Sequence, residues 1–236
     1  MIPVRTITLV LSIVCLVAPV WADYKAGMDA YYRGDYATAL REWRPLAEQG
    51  NADVQYNLGL LYHNGMGVPQ DYVQARQWYE KAAVQGHPYA QASLGNLYQN
   101  GQGGPQDYVQ ARQWDEKAAV QGVAAAQYLL GRLYGSGQGV PKDYVQARQW
   151  WEKAAVQGHA NAQLLLGALY EDGKGVPQDV VQAHMWFNLS AANGEKKGAE
   201  LRDALAERMT PVQIAEAQKL AREWTPKTPE APGQAL

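Results

Sequence analysis

Apolar side chains recur at three- and four-residue steps along most of this chain, which is the spacing of amphipathic α-helices. In one such segment the residues on the apolar face are Tyr72, Ala75, Trp78, Tyr79, Ala82 and Ala83. Asp71 precedes this predicted helix as a capping residue, and Gly86 follows it where glycine commonly ends a helix. A second helix is predicted from Pro88 to Gly101, so the segment forms a helical hairpin.

This hairpin pattern repeats every 36 residues without a gap, in the blocks Tyr36–Asp71, Tyr72–Asp107, Tyr108–Asp143 and Tyr144–Asp179. A fixed period of this length is typical of solenoids, in which each unit buries its apolar face against its neighbours. The period therefore predicts an all-α protein of stacked antiparallel helix pairs with an extended surface for binding. The helix rich in Leu, Gly and Tyr is named helix A, and the helix rich in Trp, Lys and Ala is named helix B.

Each helix A carries a glycine at its centre, in the order Gly59, Gly95, Gly131 and Gly167. A glycine inside a helix costs about 1 kcal/mol relative to alanine. We expect the paired helix to approach the backbone at these glycines, where a methyl group would not fit. Asp115 of helix B stands where the other copies have Trp43, Tyr79, Trp151 and Phe187. We expect a half-exposed position that tolerates a carboxylate; a local polar contact is the alternative.

The two ends of the chain differ from the repeats. Residues 1–22 contain Arg5, an apolar run and small residues in the two positions that a signal peptidase reads, which predicts a secretory signal peptide. A membrane anchor is the alternative, but the run is shorter than the ~20 residues of a spanning helix. This segment predicts a periplasmic or secreted protein that does not span a membrane after cleavage. Residues 225–236 are rich in proline and predict a disordered tail.

Charge and composition narrow the possible functions. The formal net charge is −2 and the charges are interspersed, so no basic block is available for nucleic acid. Cys15, the single cysteine, lies in the predicted signal peptide, so the mature chain would form no disulfide. No pair of the four histidines has the spacing of a helical metal site, and no nucleophile or phosphate-loop motif occurs. The sequence predicts a non-enzymatic protein without cofactor or metal.

A consensus emerges from the copies: Ala-Gln-x-x-Leu-Gly-x-Leu-Tyr-x-x-Gly-x-Gly-x-Pro-x-Asp-Tyr, then Trp-x-x-Lys-Ala-Ala-x-Gln-Gly. It resembles the Sel-1-like repeat family, a relative of the tetratricopeptide repeats. The resemblance implies a right-handed superhelical solenoid with repeats over residues 52–194. Residues 23–51 resemble a degenerate first hairpin, and residues 195–224 resemble a capping helix pair that closes the last repeat.

In tetratricopeptide folds the A helices line a concave groove, and the resemblance implies the same arrangement in this chain. The groove positions differ between copies, as expected for a surface that binds a non-repetitive partner. The predicted partner-binding residues are Tyr56, Leu60, Tyr89, Asn96, Gln99, Tyr128 and Arg132. Tyr56, Tyr89, Tyr128 and Arg132 are the expected anchors, because Tyr and Arg dominate binding hot spots. Drift at solvated positions after duplication is the alternative interpretation.

The resemblance implies a protein–protein interaction scaffold of the bacterial cell envelope, which binds a partner protein or peptide in the groove. A secreted or surface factor that meets host cells or host proteins is a second possibility. A peptidoglycan-associated binder or cell-wall hydrolase is a third. The sequence leaves the partner's identity and the oligomeric state open.

Overall fold

The computed structural model describes residues 23–225 of the 236-residue chain, and this range consists of helices and loops without a β-strand. The helices are α1 (Tyr24–Tyr32), α2 (Tyr36–Glu48), α3 (Ala52–Asn64), α4 (Tyr72–Val84), α5 (Pro88–Asn100), α6 (Tyr108–Val120), α7 (Ala124–Ser136), α8 (Tyr144–Ala155), α9 (Ala160–Asp172), α10 (Val180–Ala192), α11 (Lys196–Ala206) and α12 (Pro211–Glu223). The predicted all-α class is confirmed. The predicted signal peptide and nearly all of the predicted tail lie outside the described residues.

The ends of the repeat helices follow from the residues that flank them. The B helices α4, α6, α8 and α10 each begin after an aspartate. Its carboxylate accepts hydrogen bonds from two first-turn backbone amides, at 2.9 and 3.0 Å. These bonds satisfy amides that would otherwise lack a partner at a helix start. The A helices α3, α5, α7 and α9 each end at a glycine with positive φ, for example +68° at Gly65. The loop sequence therefore sets the length of both helices.

The helices stack in the order in which they occur. Each A helix packs against the B helix that follows it, and the B helices α4, α6 and α8 each pack against the next A helix in turn. At the C-terminal end, α11 and α12 both pack against α10. The prediction of stacked helix pairs closed by a capping pair is confirmed.

A buried glutamine in each repeat links three successive helices. Gln55 of α3 donates to the Ala47 carbonyl of α2 at 2.9 Å and accepts from the Gln85 amide at the end of α4 at 2.7 Å. The same pair of bonds recurs around Gln91, Gln127 and Gln163. Because every copy satisfies its buried amide in this way, the glutamine of the Ala-Gln motif fixes the spacing of consecutive B helices.

The glycine at the centre of each A helix lies directly against a side chain of helix B. An added Cβ at Gly59, Gly131 or Gly167 would overlap the ring of Tyr79, Trp151 or Phe187, respectively. The expected close approach of the paired helices is therefore confirmed. The large side chain of helix B fills the space that a methyl group on helix A would need.

Asp115 occupies the same position in α6, and the expectation that it is half-exposed is wrong. Its side chain is fully buried against Gly95, and its Oδ2 accepts a hydrogen bond from the Gln99 amide at 2.7 Å. Its Oδ1 is buried with no hydrogen-bond partner among the described residues. The alternative interpretation, a local polar contact, is the one that the structure supports. Burial raises the pKa of Asp115 well above its usual value, and the Gln99 hydrogen bond only partly opposes this effect.

Candidate functional site: the groove of the A helices

The exposed faces of successive A helices form one continuous surface, which we name the A-helix groove. A cavity of about 290 Å³ on this surface takes its lining mainly from α3, α5 and α7. Its lining residues are Leu60, His63, Asn64, Tyr79, Ala92, Ser93, Asn96, Ala125 and Leu129. Because one cavity spans three consecutive repeats, a ligand in it would contact side chains from separate copies of the unit.

Two stacked histidine–tyrosine pairs lie along the groove, two repeats apart. His87 stacks on Tyr56 with ring centroids 4.7 Å apart, and His159 stacks on Tyr128 at 4.6 Å. Each histidine is also the capping residue of its helix, since its Nδ1 accepts the backbone N–H of Ala90 or Ala162. Each capping histidine therefore places its imidazole ring against a tyrosine ring of the groove.

The capping role requires that both histidines are neutral. Nδ1 can accept the backbone N–H only through its lone pair, so the proton of the neutral imidazole lies on Nε2. In His87 this Nε2 lies 3.3 Å from the Asp53 carboxylate. Burial lowers the pKa of His87 and of His159, which favours the neutral form. Protonation at Nδ1 would remove the cap and loosen the histidine–tyrosine stack.

A second cavity of about 290 Å³ surrounds Tyr128 and Arg132 on α7. Trp151 of α8 and Leu165 of α9 form apolar parts of its wall, and Gln138 contributes from the loop after α7. The exposed Arg132 guanidinium lies 5.9 Å from the Tyr128 ring centroid and forms no salt bridge within residues 23–225. An aromatic ring beside an unpaired guanidinium suits an acidic or carbonyl group of a partner.

The structure places the seven predicted binding residues unequally. Tyr89 and Arg132 are exposed, and Tyr56, Leu60, Asn96 and Tyr128 are half-buried. Gln99 is buried, and its amide donates to Asp115 instead of facing a partner. Six of the seven side chains are therefore accessible from the groove, and Gln99 supports the fold behind it.

Electrostatic features of the groove change along its length. Asp53 is exposed at one end, Arg132 stands in the middle, and Glu171 follows near the cap, where it pairs with Arg208. Within residues 23–225, no group of His, Cys, Asp and Glu residues is arranged to hold a metal ion. The polar groups of the groove can hydrogen-bond to a polypeptide and pair with its charges.

Two features of the groove were not predicted from the sequence. The stacking of the histidine caps on the tyrosines was not predicted, although Tyr56 and Tyr128 share the 72-residue spacing of His87 and His159. That common spacing was the available signal that the residues act as pairs. Burial of Gln99 was missed because its counterparts in the other copies, His63, Gly135 and Glu171, differ in size and charge.

Comparison with known proteins places these features in a family. The Sel1 repeat matches the chain four times, over residues 52–87, 88–123, 124–159 and 160–195. The chain belongs to the Sel1 repeat family. Each matched unit of this Sel1 repeat protein begins at an A helix and includes the B helix that follows. A comparison with curated protein sequences finds no match.

Solved structures similar to this Sel1 repeat protein come from bacteria. A Sel1 repeat protein from Oxalobacter formigenes is 27% identical with a TM-score of 0.72, covering 86% of this chain and 97% of that one. A protective antigen of uropathogenic Escherichia coli strains, c5321, is 30% identical with a TM-score of 0.57 over 86% of this chain; the match spans 53% of the antigen. A putative Sel1 repeat protein from Klebsiella pneumoniae is 29% identical with a TM-score of 0.51, over 78% and 91% of the two chains.

Membership in this family carries a general functional meaning. Sel1 repeats mediate protein interactions, and their solenoids are typically non-catalytic scaffolds. Between residues 23 and 225, none of the helices combines the length and apolar character that crossing a bilayer requires.

Proposed function

We propose that this Sel1 repeat protein is an exported, non-enzymatic scaffold of the bacterial cell envelope that binds an extended segment of a partner protein in the A-helix groove. The observation that carries the proposal is the cavity around Tyr128 and Arg132, where an aromatic ring lies beside a guanidinium that forms no salt bridge within residues 23–225. The predicted signal peptide and the bacterial origin of the similar structures support the envelope location.

The shape of the groove favours a polypeptide over a small molecule. Its two cavities of about 290 Å³ are open and lie on successive repeats, so neither encloses a ligand. The anchors Tyr56, Tyr89 and Tyr128 come from three different A helices. A partner in extended conformation would contact these anchors in sequence, and the neutral histidine caps would keep two of the rings in place before binding.

Crosslinking in the native cell, followed by purification of the tagged protein, tests this proposal. The wild type should retain a partner that is lost, or bound at least tenfold more weakly, in the Tyr128→Ala/Arg132→Ala variant. Because Tyr128 also stacks on His159, the single variant Arg132→Glu provides a second test that changes only an exposed charge. Circular dichroism and the thermal midpoint establish that each variant is folded.

A matched control uses the other face of the same repeat. Gln149→Ala with Lys153→Ala also removes one polar and one cationic side chain, from exposed positions of α8. This control should retain the partner. Equal binding by the wild type, the groove variants and the control would exclude the A-helix groove as the binding surface.

A second candidate function places the partner outside the bacterium. The similarity to a protective antigen of uropathogenic Escherichia coli favours a protein that meets host cells or host proteins. Treatment of intact cells with protease separates the two possibilities. Cleavage of the protein on intact cells supports the host-facing role, whereas protection until the outer membrane is opened supports the periplasmic scaffold.

A further inference from the structure

A polar pocket of about 390 Å³ lies in the C-terminal cap, away from the A-helix groove. It is formed where α10, α11 and α12 meet. Its lining residues are His184, Asn188, Arg202, Asp203, Ala206, Ile214, Gln218 and Arg222. Most of these side chains carry hydrogen-bonding or charged groups, which is unusual for a site whose structural task is to cover an apolar repeat face.

The repeats themselves show that this pocket departs from the pattern of the fold. Positions equivalent to His184 and Asn188 hold an arginine and a glutamate in each preceding B helix from α4 to α8. These residues form ion pairs: Arg76–Glu80 at 2.9 Å, and Arg112–Glu116 and Arg148–Glu152 at 2.5 Å. In α10 both members of the pair are replaced, and no carboxylate remains at the second position. The cap therefore lacks the ion pair that fills the same place in three earlier copies.

His184 lines this pocket and has a buried polar atom without a hydrogen-bond partner among the described residues. Its side chain is 2% exposed, and the atom is its Nδ1. A buried polar atom without a hydrogen-bond partner lowers the stability of the folded state. A site that persists at such a cost commonly awaits a ligand or an ordered water.

Cations outnumber carboxylates around the pocket. Arg202 donates to the Asn188 side-chain oxygen at 3.1 Å and pairs with Asp203 at 2.8 Å. Arg222 forms no salt bridge in the part of the chain that the structure describes. One arginine is thus oriented within the pocket, and a second remains available at its wall.

We propose that this cap pocket is a binding site for a small oxyanion, a carboxylate or phosphate group, held mainly by Arg202 and Arg222 with Gln218 and His184 as further hydrogen-bonding groups. Guanidinium groups match the geometry of both anions, and an anion supplies the negative charge that the repeats place at the Asn188 position as glutamate. This site is separate from the groove, and the proposal does not depend on the partner-binding function.

Titrations of the purified protein with inorganic phosphate, and separately with acetate, test the proposal by heteronuclear NMR at pH 7.5. Sodium chloride at matched ionic strength is the reference. We expect saturable shifts confined to amides of α10, α11 and α12, with an affinity at least tenfold above that for chloride. Tighter binding of phosphate assigns the site to phosphate groups, and tighter binding of acetate assigns it to carboxylates. Shifts that merely follow those of chloride would overturn the site.

Three variants identify the residues responsible. Arg222→Gln removes an exposed charge and should weaken binding of the better anion about tenfold. Asn188→Asp places a carboxylate next to Arg202 with almost no change in shape, and should weaken it at least as much. Lys219→Gln is the matched control, because it removes the same charge from an exposed position of α12 that does not line the pocket. Equal losses of anion affinity in Arg222→Gln and Lys219→Gln would mean that binding depends only on the overall surface charge, and would overturn the proposal.

Discussion

The α5–α6 and α7–α8 interfaces have the same arrangement of helices but different side chains packed between them. In α7–α8, Trp151 lies against Gly131 and Gly135, and its indole N–H donates to the Tyr128 carbonyl at 3.1 Å. In α5–α6, Asp115 lies against Gly95 in place of the ring and hydrogen-bonds to Gln99. One interface is closed by an aromatic ring and the other by a buried pair of polar side chains.

The residue four positions after the central glycine of helix A is Gly135 in α7 and Gln99 in α5. It explains how the α7–α8 interface accommodates Trp151 and the α5–α6 interface accommodates Asp115. Gly135 leaves space for the outer edge of the Trp151 ring, since an added Cβ there would lie 3.1 Å from the ring. Gln99 fills the equivalent space in α5 and reaches Asp115. The two positions lie next to each other across the helix pair, so we expect a change at one to alter which side chains the other accommodates.

Replacing Trp151 and Asp115 by alanine, one at a time, should give the largest difference in stability between the two interfaces. Trp151→Ala should lower the free energy of unfolding by about 3–5 kcal/mol, the range for a buried tryptophan replaced by alanine. Asp115→Ala should change it by less than about 1 kcal/mol, because loss of the buried carboxyl is offset by a Gln99 amide left without its acceptor. Chemical denaturation of the two variants measures both values.

Trp78→Ala serves as a reference for the loss of a tryptophan at another position of helix B, since Trp78 is also buried. Equal destabilisation by Trp151→Ala and Asp115→Ala would contradict the comparison. It would mean that the polar pair contributes as much to stability as the aromatic contact.

Introducing the α7–α8 residues into the α5–α6 interface should change the free energy of unfolding by an intermediate amount. Asp115→Trp alone should destabilise the protein by about 1–3 kcal/mol, because the new ring meets Gln99 in a packed space. Adding Gln99→Gly should recover most of that loss, although a glycine inside a helix costs about 1 kcal/mol. The double variant reproduces the α7–α8 arrangement, with the Ala92 carbonyl in the position of the Tyr128 carbonyl.

A double-mutant cycle at the two positions checks this coupling, with Gln99→Gly alone as the fourth member. Gln99→Gly alone should destabilise, since it removes the only hydrogen bond of the Asp115 carboxyl within the described residues. Strictly additive changes in the free energy of unfolding would show that the two positions act independently and would contradict this explanation.

Much of the fold could be predicted from the sequence, because repetition and local signals agree. The aspartate caps, the terminal glycines and the apolar spacing recur in register, and each indicates the same hairpin. The glycine at the centre of helix A even predicted a contact between helices. A signal present in four copies fixes packing far better than one present once.

Features that occur in a single copy, including the burial of Gln99 behind the candidate site, were harder to predict. Asp115 breaks the repeat, and its sequence alone does not show whether a lone carboxylate faces water or the interior. Its partner Gln99 lies 16 positions away on another helix, so only the packed structure brings them together. The cap pocket depends likewise on α11 and α12, which have no counterpart in the repeats.

The smallest predicted effect concerns the charge of Asp115. Asparagine at this position keeps an acceptor for Gln99 and removes the charge, so Asp115→Asn should raise the free energy of unfolding at pH 7.5 by about 1 kcal/mol. Burial raises the pKa of Asp115 in the folded protein above its value in the unfolded chain. The folded state therefore binds the proton more tightly, and stability from this group falls as pH rises above the unfolded pKa of 3.8.

The advantage of Asp115→Asn should accordingly be small near pH 4, just above the unfolded pKa of 3.8, and should disappear only below that pKa, where the carboxyl is protonated in both states. It should grow as pH rises and level off above the folded pKa. Asp203→Asn is the matched control, because Asp203 is exposed and its charge is not buried on folding. Denaturation curves of both variants between pH 4 and pH 8 provide the test. An advantage that is constant over this range would show that Asp115 does not carry a buried, titrating charge, and the α5–α6 interface would then resemble a neutral polar contact.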